Sequence, residues 1–112
     1  MKIITDKISL KELVEAGEGL FDDMVKAVVD VDNEIIAIGG GLHSDEELIL
    51  LENGSRQEYL WGINIYYNLS HDDRVEFDSL INIRPAQNNR SRFIEDEALR
   101  KNIIEIVNKL IE

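Results

Sequence analysis

A chain of 112 residues with 44% hydrophobic and 31% charged residues has the size and composition of one globular domain, residues 1–112. It holds no cysteine, which excludes disulfides, iron–sulfur clusters and thiolate zinc sites and suits a reducing cytoplasm. A formal net charge of −11 argues against general nucleic-acid binding, which needs many phosphate contacts. No apolar run is long enough to cross a membrane, and acids interrupt every apolar window near the N-terminus, so neither a membrane span nor a signal peptide is expected.

Taken in chain order, Lys2–Thr5 is a short candidate strand. Ser9 and Glu12 then form a capping box, with Ile8 and Leu13 as a hydrophobic staple, so a helix is expected there. Gly17 and Gly19 close it. Val25, Ala27, Val29 and Val31 alternate along a strand, and Glu34–Ile38 returns as its hairpin partner. Asp32 and Asn33 tolerate positive φ and are expected to make the turn. Gly39–Gly41 then breaks the pattern or lets a backbone pass closely.

Ser44 and Glu47 suggest a second capping box, opening a helix that Gly54 stops. A strand across Leu48–Leu51 is the competing reading. Trp61–Tyr67 and Val75–Arg84 alternate as two strands, the second ended by Pro85. Asp96 caps a final helix over Glu97–Ile111, with Leu99, Ile103, Ile106 and Leu110 as its stripe. The order β-α-β-β-α-β-β-α implies an α+β fold, a mostly antiparallel sheet of four to five strands with two or three helices on one face.

Charge is uneven along the chain. Residues 1–83 hold 6 basic and 18 acidic residues, whereas residues 84–112 hold 6 and 5. The basic residues begin in "NIRPAQNNRSR", where Arg84, Arg90 and Arg92 accompany Asn82, Gln87, Asn88 and Asn89. Guanidinium binds phosphate or carboxylate through paired donors, and asparagine tolerates the backbone of an anion-binding nest. These seven residues are the candidate ligand-binding set, for an anionic small molecule or peptide group. The competing reading is ordinary surface ion pairing with Glu95, Asp96 and Glu97.

Asp78 is the one catalytic candidate. If Tyr67 pairs with Val75, Asn64 lies opposite Asp78 on a polar sheet face, which is either a pocket floor or plain solvated surface. His43 and His71 stand alone, without metal spacing, and no metal or cofactor is expected. The functional readings are therefore a small binding domain for an anionic group, a small hydrolase or phosphate-handling enzyme using Asp78 with Arg84, Arg90 and Arg92, or a homodimer joined through a sheet edge or the last helix.

The stretches "GSRQEYLWGINIYY" and "EFDSLINIRPAQNNRSR", followed by a capped C-terminal helix, resemble a family of small uncharacterised prokaryotic proteins whose domain has no known function. The resemblance runs over nearly the whole chain. It implies a free-standing prokaryotic domain and supplies no activity, substrate or catalytic residue.

Overall fold

A computed structural model describes residues 1–112. Five strands, β1 (Lys2–Ile4), β2 (Val25–Asp30), β3 (Ile35–Ile38), β4 (Leu60–Ile65) and β5 (Val75–Glu76), form one antiparallel sheet in the order β1-β3-β2-β4-β5. Three helices, α1 (Leu10–Ala16), α2 (His43–Glu52) and α3 (Glu97–Leu110), complete an α+β fold in the expected order. None of them is long and apolar enough to cross a membrane.

The helices cover both faces of the sheet, not one. Val25, Ala27, Val29, Ile63 and Ile65 face α1 and α3, where Leu13, Ile103, Ile106 and Leu110 close the larger core. The alternate residues Val28, Ala37 and Leu60 meet Leu50 of α2 on the other side. Val28 between Ala27 and Val29 is the sequence sign of this, because a strand covered twice loses its polar positions.

Local signals explain the first and last helices. At α1 both halves of the Ser9–Glu12 capping box are present, and Ile8 and Leu13 share the core. At α3 the Asp96 carboxylate accepts the N–H groups of Ala98 and Leu99. The C-terminus of α3 is held by Arg74, only 1% exposed, whose guanidinium donates to Asn108 Oδ1 (3.1 Å), Ile111 O (2.9 Å) and Glu112 O (3.0 Å). Arg74 thus sits just past the last turn of α3, where the partial negative charge of a helix C-terminus favours a cation.

Three expectations are corrected. The positive φ of the β2–β3 turn falls on Glu34 (φ 55), because the Asp30 carboxylate accepts both the Asp32 and Asn33 N–H groups and fixes those residues otherwise. Helix α2 has Leu42 as its N-cap and no side-chain cap, because Glu47 is drawn to Arg84, 3.5 Å away. The strand expected over Val75–Arg84 ends at Glu76, and short 3-10 turns follow at Leu80–Asn82 and Pro85–Gln87.

The cause of that early ending lies at the edge of β4. The Asn82 side chain takes the place of a strand there: Gly62 N–H donates to Asn82 Oδ1 (2.8 Å), and Asn82 Nδ2 donates to Gly62 O (2.9 Å). Gly62 is required for the approach, since a Cβ would lie 2.6 Å from Ser79 Cβ.

Candidate functional site

The expected ligand set is placed in two groups. Arg84 is built into the fold. Its Nε donates to Ile81 O (2.9 Å) and its terminal nitrogens to Gln57 O (2.8 Å) and to Leu60 O, while the guanidinium carbon lies 4.5 Å from the Trp61 ring centroid. Burial pushes the Arg84 guanidinium below its usual range, and the Glu47 charge opposes that shift. Asn89 is likewise internal. Its Nδ2 donates to the carbonyls of Asn82, Ser91 and Phe93, and its Oδ1 accepts the Glu95 N–H. Gln87 donates to Glu58 O, and Asn88 holds the left-handed turn (φ 61) that reverses the loop.

Arg90 and Arg92 remain at the surface. The Arg90 backbone N–H is taken by Glu95. Arg92 Nε lies 2.6 Å from Asp78 Oδ1, with both side chains about half exposed. Arg84 therefore does not join the other two arginines, whereas Arg92 and Asp78 are brought together.

Around Arg92 a different constellation assembles. Across the sheet, Lys26 of β2, Asn64 of β4 and Glu76 of β5 stand side by side in register. The β4–β5 pairing is two residues from the expected one: Ile65, not Tyr67, pairs with Val75. Asn64 thus faces Glu76, donating to its Oε1 (2.8 Å), and also reaches Asp78 O (3.3 Å). Above this row lies the uncapped start of α2. A hollow of about 240 Å³ opens there, lined by Lys26, Leu42, His43, Ser44, Ser79, Leu80, Ile81 and Arg92.

His43 sits with its ring turned inward, 7% exposed, and its Nε2 lies 2.7 Å from Ile63 O. A carbonyl oxygen only accepts, so Nε2 carries the proton of the neutral ring and Nδ1 the lone pair. Burial pushes the His43 pKa down, the Ile63 carbonyl pulls it up, and the Lys26 charge pushes it down again. The hollow thus combines two cations, Arg92 being paired with Asp78, with two serine hydroxyls, helix N–H groups and a neutral imidazole. That is the equipment to hold a small anion, since helix N-termini and cationic side chains both favour negative charge.

A second hollow, of about 630 Å³, lies on the other side of Arg92 between residues 75–78 and 91–93. No group of three or more His, Asp and Glu side chains is placed to hold a metal ion.

Lys26 and Ser44 line the site but lie outside the expected ligand set. Lys26 was legible, because it is the one cation in β2 and shares the parity of Val28. Ser44 was assigned to a cap that does not form. Asn64 lacked the correct register.

Fold and site together define a small α+β domain with its polar hollow on a sheet face beside a helix start. The chain belongs to the family described as Protein of unknown function (DUF5674), whose profile matches residues 2–110. No curated protein and no solved structure matches it.

Proposed function

We propose that the chain is a small binding domain for an anionic group, a phosphate or carboxylate of a small molecule or peptide, seated between Lys26, Ser44 and Arg92. The observation that supports this reading is the gathering of Lys26 and Arg92 at the start of α2, in a protein of net charge −11. Cations converge in so acidic a chain against its overall composition, and a hollow of about 240 Å³ suits an anion of few atoms. Arg92 carries the reading over from the 82–92 loop, while Arg84 and Asn89 shape the loop that presents it. The absence of cysteine fits a cytoplasmic setting.

Titration of the protein with inorganic phosphate, sulfate and acetate, followed by amide chemical shifts, tests the proposal. The expected result is saturable shifts at His43, Ser44 and Arg92 with a dissociation constant on the order of 1 mM. Lys26→Ala and Arg92→Ala each weaken it. Linear, unsaturated shifts spread over the surface would overturn the reading.

A further inference from the structure

The outer edge of β5 offers a second recognition surface. On β4, Gly62 and Asn64 turn their backbone groups toward the β5 side, and Tyr66 N–H donates to Arg74 O. In an antiparallel pair successive residues alternate in direction, so Arg74 and Glu76 look inward. Beyond the strand, Asp78 O accepts from the Asn64 side chain. Val75 therefore points its N–H and C=O groups, and Phe77 its N–H, away from the sheet, at its open rim.

Beside that rim lies the hollow of about 630 Å³, where Phe77 and Phe93 meet edge to face at 6.2 Å between centroids. Phe93 is 47% exposed. The segment 72–78 carries Asp72, Asp73, Glu76 and Asp78, and its one cation, Arg74, is turned inward onto α3. Asp78 is paired with Arg92, so Glu76 is the unpaired carboxylate of the strand itself; two such edges facing each other would bring one Glu76 toward the other, which is destabilising and disfavours a second copy as occupant.

We infer that the β5 edge receives an extended, basic segment of another protein as a sixth strand. Its backbone bonds Val75 and Phe77. Its alternate side chains divide between the apolar hollow at Val75, Phe77 and Phe93 and the carboxylates of Glu76 and its neighbours, which selects a basic–apolar alternation.

The test uses a fluorescent, end-blocked peptide of alternating lysine and valine on the full chain. It is compared with a glutamate–valine peptide and with two analogues N-methylated at alternate residues in opposite phases. Binding is expected to weaken at least about tenfold for the glutamate peptide and for one of the two methylated phases. Amide exchange at Val75 and Phe77 is expected to slow when the lysine peptide binds. Equal binding of the parent and both methylated peptides would reduce the attraction to bare charge and overturn the proposal. Unchanged exchange at Val75 and Phe77 would overturn it as well, as would protection that rises with protein concentration alone.

Discussion

The Asn82 side chain bonds the backbone of Gly62 twice, giving and receiving one hydrogen bond each, so a carboxamide stands where β5 would otherwise continue along β4. Asn82 is fully buried, and its Nδ2 also reaches Arg92 O. Asn82→Ala leaves a buried N–H and a buried C=O without partners and is expected to cost about 2–4 kcal/mol, from the penalty of each unmet group. Asn82→Asp keeps the acceptor and loses the donor, so it is expected to be no better. Urea unfolding of the two variants checks this.

Arg84 is a structural residue by the same logic. Its guanidinium serves three carbonyl oxygens at once, and a lysine ammonium cannot span that geometry. Arg84→Lys is expected to lose about 2 kcal/mol in urea unfolding, through unmet carbonyls. It should leave phosphate affinity within about twofold, because Arg84 lies outside the proposed site.

Asp78→Asn separates two functional readings. The Arg92–Asp78 pair is solvent-accessible, so stability should change by less than about 1 kcal/mol. Freed from its carboxylate, Arg92 should hold phosphate about two- to fivefold more tightly, the equivalent of roughly 0.5–1 kcal/mol. A hydrolase that used Asp78 would instead lose its activity on this substitution.

Glu46 makes stability depend on pH. Burial pushes its carboxyl from 4.5 to about 9, while the Gly40 N–H on its Oε2 opposes the shift. The folded state then keeps a proton that the unfolded chain releases above pH 4.5, so stability falls as pH rises from about 4.5 toward 9 and levels beyond. Glu46→Gln mimics the protonated acid and should flatten that portion of the curve, with the variant the more stable one at pH 8. Gly40 admits no side chain here, as a Cβ would lie 2.7 Å from Glu46 Cγ. Urea midpoints measured between pH 5 and pH 9 on both proteins decide it.

The two helices with intact caps were legible because Ser9–Glu12 and Asp96 act on neighbours in the chain. The hairpin was legible for the same reason. Ser44 and Glu47 carry an equally good local signal, yet Glu47 is claimed by Arg84, distant in sequence. Val75, Phe77, Ile81 and Ile83 alternate as a strand would, but Ile83 ends 43% exposed once Asn82 turns toward Gly62. Nothing near Arg74 in sequence announces its partners Asn108, Ile111 and Glu112, which lie at the end of the chain. The site was legible in part: Arg92 and Asp78 were named, whereas Lys26 and Ser44 needed the sheet register and the true start of α2.

The dependence of Arg74 on residues 108–112 sets an order on folding during synthesis. Ile8 is stitched beside Ile111 by the Leu110 carbonyl and the Glu112 N–H. Arg74 waits for the same residues. A growing chain can join β1 through β4 soon after they emerge, but Arg74 lacks its protein partners until residues 108–112 leave the ribosome. The long-range closure therefore comes last, and the nascent domain keeps an open face over its larger core until then.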